Sequence, residues 1–377
     1  MGLKVLVLPD KFKGTLTAAE AADAIARGWL QARPNDVLEL LPMSDGGDGF
    51  GEVTSALLNA QVKRVKTVNA AHRPCTAKWW WQANDHIAII ESATVIGLAM
   101  LPPGKFHPFD LDTFGLGALL EAAVAIGARQ CLIGIGGSAT NDGGFGLARA
   151  LGWQFLDAKD AQIKNWTELD KLKNISPPKR PGKLGQGKNS LEIRVAVDVQ
   201  NPLLGANGAS RVYGPQKGLK EADFEKAESS LGKLAQVAKR YFGHDVSRKP
   251  GTGAAGGLGF GLVAFCSARL EPGFDLFAGL AHLEEQMRRA DLVITGEGKI
   301  DHSTLMGKGV GQIAQRCSEL KKPCIALGGD VEPETRKRQV FAKVQGLTEL
   351  TTLEQAMRNP GVWLEHLAQQ VANSWWA

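Results

Sequence analysis

Short apolar runs alternate with segments of helical period along most of this chain, and that alternation limits the fold more than any other feature. KVLVLP (4–9) is nearly all apolar, as a strand covered on both faces is. TAAEAADAIARGWLQAR (17–33) follows it, with Thr17 and Glu20 at capping-box spacing and Ala21, Ile25, Gly28, Trp29 and Ala32 on one helical face. VLELLP (37–42) and GFGEVTSALLNA (49–60) repeat the pair. Near the other end come DLVITGEG (291–298), a helix from about Gly309 to Leu320, PCIALGGD (323–330) and a C-terminal helix interrupted by Pro360. Strand and helix in strict alternation pack as a parallel sheet with helices on both faces.

The middle of the chain breaks the rhythm. RVKTV (64–68), AKWWWQ (77–82) and IAIIES (87–92) follow one another closely with turn residues between them, which predicts antiparallel pairing. CLIGIGG (131–137), WQFLDA (153–158) and EIRVAVDV (192–199) are further strands, with helices at about 112–126 and 222–242. The expected fold is α/β in two domains: a discontinuous flavodoxin-like parallel-sheet domain, residues 1–60 and 285–377, and an inserted mixed α/β domain, residues 61–284. A length of 377 residues agrees with two hydrophobic cores rather than one.

Composition excludes several function classes. A net charge of +5 over this length is too small for a nucleic-acid surface, and no apolar run approaches the ~20 residues of a bilayer span. The apolar run before Pro9 is too short for a secretory signal. Five cysteines, an odd number with no C-x-x-C pair, point to a reduced cytoplasmic protein. The lysine-rich stretch 164–188 holds Pro177, Pro178 and Pro181 and reads as a solvated surface loop. Trp79, Trp80 and Trp81 have no interleaved basic residues, so they read as one buried and one amphipathic strand face rather than as base-stacking groups.

What remains is a recurring pattern at strand ends. KVLVLP ends in Asp10, with Lys11 and Lys13 just beyond; VLELLP runs into MSDGGDG (43–49); IAIIES ends at Glu91; CLIGIGG runs into SATNDGG (138–144); EIRVAVDV carries Asp198; DLVITGEGKID carries Glu297 and Asp301. Open α/β sheets bind ligands outside the carboxyl ends of their strands, and six such endings are more than turn composition alone accounts for. Gathered carboxylates need a cation, and oxygen ligands of this kind suit Mg²⁺. GTGAAGGLGFG (251–261), at the start of an apolar helix, is the best candidate for a phosphate cradle, with close helix packing as the competing explanation.

Acids, glycine loops and loop lysines together indicate phosphoryl transfer from a nucleotide, although G-x-x-x-x-G-K-[ST] is absent and MGKG (306–309) has glycine where the hydroxyl residue belongs. The rival is an NAD-dependent dehydrogenase of a small hydroxy acid. Gly134, Gly136 and Ala139 match G-x-G-x-x-A after a strand, and Asp157 ends the next one. An ionised Asp142 in that loop would oppose a pyrophosphate, which counts against it. A non-catalytic sugar-acid sensor is a third reading, and one that has no need of so many acids.

The motifs PDKFKGTL (9–16), MSDGGDG (43–49), GIGGSATNDGG (134–144), DVQNPLLGANGASRVYGPQKG (198–218), GTGAAGGLG (251–259) and ITGEGKIDHSTLMGK (294–308) together resemble the bacterial glycerate kinases of the 2-kinase type, type I. The resemblance implies conversion of D-glycerate to 2-phosphoglycerate with ATP and Mg²⁺, and an active site between two α/β domains. Departures include ESATVIGL (91–98), Gly309 and Val310 after the glycine–lysine pair, and the lysine-rich loop. Within that frame Asp198 is the expected proton acceptor, and Lys13 the cation for the substrate carboxylate or the migrating phosphoryl group. Asp10, Ser44, Ser138, Thr140 and Asn141 are expected at the substrate. Gly253, Gly256, Gly257, Gly296 and Glu297 are expected at the nucleotide, and Asp45 and Asp142 at the metal, with Asp10, Glu297 and Asp301 in reserve. His302, beside Asp301, is the one histidine to watch. The oligomeric state stays open, a homodimer included.

Overall fold

The structure, a computed structural model, describes residues 2–179, 190–305 and 309–375. Residues 180–188 of the lysine-rich stretch, the MGK of 306–308 and Trp376 lie outside the described residues. The chain forms two compact units. Unit 1 comprises Met1–Asp45, Glu52–Leu57 and Phe274–Ala377; unit 2 comprises Gly46–Gly51 and Leu58–Gly273. The short acidic turn Gly46–Gly51 therefore belongs to the inserted unit, although its neighbours on both sides belong to unit 1.

The strands in chain order are β1 (Lys4–Pro9), β2 (Val37–Leu40), β3 (Gln61–Val68), β4 (Pro74–Gln82), β5 (Ile87–Glu91), β6 (Gln130–Gly134), β7 (Gln154–Leu156), β8 (Asn174–Ser176), β9 (Glu192–Val197), β10 (Arg269–Pro272), β11 (Leu292–Ile300), β12 (Cys324–Val331) and β13 (Lys343–Gly346).

In unit 1 the sheet runs β13-β12-β11-β1-β2, every pair parallel. Counted along unit 1 alone this is the order 2-1-3-4-5, the flavodoxin-like arrangement. Successive β1 side chains serve opposite faces, as a strand's two-residue period requires. Leu6 and Leu8 pack into one apolar cluster with Met287, Ile313 and Phe274, while Val5 and Val7 pack into another with Ile25, Trp29 and Leu364. The helix Ala18–Ala32 begins on the capping box read from sequence: Thr17 Oγ1 accepts from Glu20 N, and Glu20 accepts from Thr17 N.

That helix crosses Pro360–Asn373 at Gly28, where an added Cβ would lie 1.9 Å from the Glu365 carbonyl oxygen. Glycine inside a helix costs about 1 kcal/mol against alanine, so the close crossing must return more than that. Gly28→Val is expected to destabilise unit 1 by about 3 kcal/mol or more, because the two helices must separate. Denaturant titration of the variant would measure it, and a loss under about 1 kcal/mol would mean that the crossing yields easily.

Unit 2 holds a six-stranded sheet, β10-β9-β6-β5-β4-β3, in which β3, β4 and β5 pair antiparallel and β5, β6, β9 and β10 run parallel. The sheet is therefore mixed, as the spacing of the middle strands predicts. All three tryptophans of β4 are buried, so this strand is covered on both faces rather than on one. The stretch 164–176 also departs from the expected surface loop. Trp166, Leu169, Leu172 and Ile175 are buried at an i, i+3 spacing and join the unit 2 core beside the helix Phe224–Phe242.

Candidate active site

At the carboxyl edge of the unit 1 sheet, three acids from separate segments meet. Asp10 follows β1 directly, and its N–H donates to the Gly296 carbonyl at 2.8 Å, which sets it beside Glu297 on β11. Leu41 N donates to Val7 O and Met43 N to Pro9 O, extending the β1–β2 ladder and carrying Ser44 and Asp45 to the same edge. Burial, followed by the charges of Asp45 and Glu297, pushes the Asp10 carboxyl up to about 7 from its ordinary value near 4. The donors here are carboxylate oxygens with no thiol or imidazole among them. This is the chemistry that a hard divalent cation takes.

The other unit 1 candidates have narrower roles. Glu297 Oε1 accepts from Thr304 Oγ1 at 2.7 Å. Asp301 accepts from Ser303 N, Ser303 Oγ and Thr304 N, so it caps the short helix His302–Leu305, and those bonds hold its carboxyl below the usual range. Gly296 lies under the neighbouring strand, since a Cβ there would stand 2.3 Å from the Leu327 carbonyl oxygen. Lys13 is exposed in the turn after Phe12, its N–H abutting Gly298, and His302 is exposed as well.

In unit 2 the parallel strands end in register. Glu91 pairs with Gly134 and Gly134 with Ala196, so the loop after β6 and Asp198 after β9 leave the sheet at one edge. The turn Gly46–Gly51 covers that edge. Gly136 N donates to Gly46 O, a Cβ on Gly46 would touch Ala196, and Glu91 accepts from Gly49 N and Gly51 N at 3.0 and 2.9 Å. Asp198 is exposed, and its charge, after burial, raises the Tyr213 hydroxyl. Tyr213 donates to Asn201 Oδ1 at 2.6 Å, so Asp198, Asn201 and Tyr213 share one neighbourhood.

The loop after β6 carries Ser138, Thr140, Asn141 and Asp142, all buried. Asp142 is fully enclosed and accepts from Thr113 N, Thr113 Oγ1, Gly144 N and Gly146 N. Burial, then the nearby charge of Asp112, pushes its carboxyl up to about 6 against the pull of those donors. This corrects the metal-ligand expectation for Asp142: its oxygens fasten the loop from within. Asp112 beneath it contacts His72 at 3.0 Å and Arg149 at 3.9 Å.

The glycine-rich segment also has a different task from the one expected of it. Gly253 N donates to Asn201 O and Gly257 N to Gly253 O, so these N–H groups are spent inside the protein. A Cβ on Gly253 would meet Pro202 O at 2.1 Å, one on Gly256 would meet Thr140 O at 1.9 Å, and one on Gly257 would meet Leu203 and Gly143. Ala255, Gly256 and Gly257 take positive φ, and Gly143 N donates to Gly256 O. The segment is a close-packed buttress behind the Thr140–Gly144 loop, not an open phosphate cradle.

The dinucleotide motif fails on topology. After β6 and the helix Phe145–Ala150 the chain enters β7, which pairs with β8 in a separate two-stranded sheet and not with β6, so the strand next in sequence does not complete a βαβ unit for Gly134, Gly136 and Ala139. Asp157 instead accepts from Lys159 N and Ala161 N in the β7–β8 connection. A Cβ on Gly134 would run into the Phe50 ring, so no pyrophosphate fits there.

One functional candidate escaped the sequence reading. Lys217 is buried at 7% exposure, and its Nζ donates to Ser138 Oγ at 3.0 Å and Thr140 O at 2.7 Å. Burial lowers its pKa to about 7, partly offset by Asp142. Nothing in PQKG (215–218) marks this lysine among the 44 lysines and arginines of the chain. Among the described residues no group of three or more His, Cys, Asp or Glu is arranged to hold a metal ion by itself.

Comparison with known proteins gives the chain its family. The profile of the glycerate kinase family matches residues 5–376. A protein named glycerate kinase from Halalkalibacterium halodurans is 36% identical over 98% of both chains. One named glycerate 2-kinase from Escherichia coli is 35% identical over 94% of this chain and 93% of its own. The crystal structure of a Salmonella typhimurium LT2 protein assigned as glycerate kinase 2 superposes with a TM-score of 0.84 at 34% identity, covering 99% of this chain and 98% of that one. With nearly its full length matched by sequence and by structure, this chain belongs to the glycerate kinase family and is a kinase.

Proposed function

We propose that this kinase transfers the γ-phosphoryl group of ATP to the 2-hydroxyl of D-glycerate, giving 2-phosphoglycerate, with Mg²⁺ as the accompanying ion. The observation that carries the reading is the carboxyl edge of the unit 2 sheet, where Asp198 and the hydroxyl- and amide-bearing loop 138–141 leave adjacent parallel strands. The 2-position is supported by the similarity to the protein named glycerate 2-kinase. Asp198 is the proton acceptor for the attacking hydroxyl. Ser138, Thr140 and Asn141 bind the acceptor, and Ser44 and Lys13 serve the phosphoryl side.

Asp10, with Asp45 or Glu297 beside it, would supply one or two carboxylates to Mg²⁺. The all-oxygen donor set fits an ion that takes one or two carboxylates and fills its remaining positions with water and phosphate oxygens. Bound there, Mg²⁺ supplies neutralisation of phosphate charge. Gly253, Gly256 and Gly257 leave no room for a nucleotide, because backbone fills the space beside them. A reducing cytoplasm suits the chain, all five cysteines being unpaired, and no described helix is long and apolar enough to cross a membrane.

The test is to mix protein, Mg-ATP and D-glycerate and follow the product with enolase in the absence of mutase. Signal identifies 2-phosphoglycerate. ADP without signal moves the phosphoryl group to the other hydroxyl, and no ADP with any small hydroxy acid favours a sensor over a catalyst.

Asp10 supplies a second test. Its folded pKa lies above the unfolded one, so the folded state holds the proton longer and stability from this group falls as pH rises from about 4 to about 7. Asp10→Asn is therefore expected to raise the melting temperature of the metal-free protein at pH 8 by about 3 °C or more, and to abolish the further rise that Mg²⁺ gives the wild type. An unchanged Mg²⁺ response in the variant would remove Asp10 from the metal site.

A further inference from the structure

The loop Ser138–Asn141 and Lys217 contain more hydrogen-bonding capacity than the protein uses. Lys217 Nζ carries three protons when charged. Two go to neutral oxygens, Ser138 Oγ and Thr140 O, and the third has no acceptor among the described residues. The nearby acid, Asp142, is committed to Thr113, Gly144 and Gly146 and makes no hydrogen bond to Nζ. Thr140 Oγ1 and Asn141 Oδ1 are both buried with no hydrogen-bond partner, on residues that are 0% exposed. Asn141 Nδ2 donates to Ser210 Oγ at 2.9 Å, so one end of the amide is anchored and its oxygen is left over. Buried polar groups are nearly always paired, and a buried cation without a counter-charge is the most expensive kind to leave unmatched.

We infer that Lys217 Nζ, Thr140 Oγ1 and Asn141 Oδ1 form the seat of a 2-hydroxycarboxylate, which makes Lys217 the specificity-determining residue that selects the acid end of the acceptor. This rests on the proposed glycerate reading and deepens it. A carboxylate takes the remaining Lys217 N–H and the Thr140 hydroxyl proton, both donors. The adjacent hydroxyl donates to Asn141 Oδ1, an acceptor, in the bound state and turns that one proton to Asp198 as it attacks. A polyol without the carboxylate leaves the third Lys217 N–H without an acceptor, and a carboxylate without the neighbouring hydroxyl leaves Asn141 Oδ1 unpaired.

Two variants and one titration decide it. Lys217→Met is expected to raise the KM for D-glycerate about 30-fold or more with the KM for ATP within about threefold, since a charge-assisted bond to the substrate is lost. Lys217→Arg should recover part of that. Thr140→Val replaces a hydroxyl that has no internal partner by an apolar group of the same shape. A purely structural role therefore predicts unchanged or higher thermal stability and an unchanged KM. The inference predicts the same stability with a glycerate KM raised about 5- to 30-fold. A wild-type glycerate KM in Thr140→Val, or equal losses for glycerate and ATP in a folded Lys217→Met, overturns it. Should Lys217→Met fail to fold, Thr140→Val decides alone. Calorimetric titration with D-lactate, which keeps the 2-hydroxycarboxylate and lacks the 3-hydroxyl, separates this inference from the glycerate reading. Wild-type protein that binds D-lactate but not glycerol, with binding weakened in Thr140→Val, supports the seat even if glycerate is not turned over. Equal binding in wild type and variant sinks it.

Discussion

Asp198→Asn is expected to lower kcat by about 10²–10⁴-fold while leaving ATP affinity within a few-fold of the wild type. Asparagine keeps the shape of the residue at the end of β9 and removes its ability to take a proton. The surrounding geometry argues for retained folding, since Asp198 is exposed rather than a buried structural acid. The charge of Asp198 also contributes to holding up the Tyr213 hydroxyl, so the variant is expected to lower the Tyr213 titration point in an ultraviolet pH titration. A variant retaining more than about a tenth of wild-type kcat would exclude Asp198 as the proton acceptor.

Asp142→Ala is expected to cost unit 2 about 3 kcal/mol or more, lowering its melting temperature by at least about 6 °C. Four donors, Thr113 N, Thr113 Oγ1, Gly144 N and Gly146 N, would lose their acceptor in a place that water does not reach. Each buried orphan costs about 1–3 kcal/mol, and local relaxation recovers only part of the sum. The loop that these bonds hold also carries Ser138, Thr140 and Asn141, so activity should fall with stability. A metal ligand behaves otherwise, with nearly unchanged melting and activity restored by excess Mg²⁺. Thermal melts and Mg²⁺ titrations on the same variant distinguish the two.

The strand ends were the most legible feature: Asp10, Asp45 and Glu297 in unit 1 and Asp198 in unit 2 each lie at a sheet edge, because a polar residue at the end of an apolar run must leave the core there. Asp142 sits in an equally suggestive place and proved to point its hydrogen bonds inward. Acid plus glycine is the composition both of a ligand loop and of a loop that satisfies its own N–H groups, and only the positions of Thr113 and Gly146 separate the two. The glycines of 251–261 were ambiguous for a related reason. A missing side chain leaves room for a phosphate or for another backbone, and here Thr140, Pro202 and Gly143 fill it. The buried stripe Trp166, Leu169, Leu172 and Ile175 was present as a three-residue period but was masked by the lysines and prolines around it. Lys217 carried no local signal, because its burial comes from contacts with residues 77 and 79 positions away.

By itself the sequence determined the class of the fold and the family: the spacing of apolar residues dictates which segments become buried strands and which become one-sided helices, and six motifs in order identify the kinship. Tertiary structure alone decided which acid fastens its own loop, which glycines have their space filled by backbone, and which lysine is enclosed. The physical reason is that periodicity is a local property written along the chain, whereas desolvation and hydrogen-bond satisfaction depend on groups that meet only after the sheets have formed.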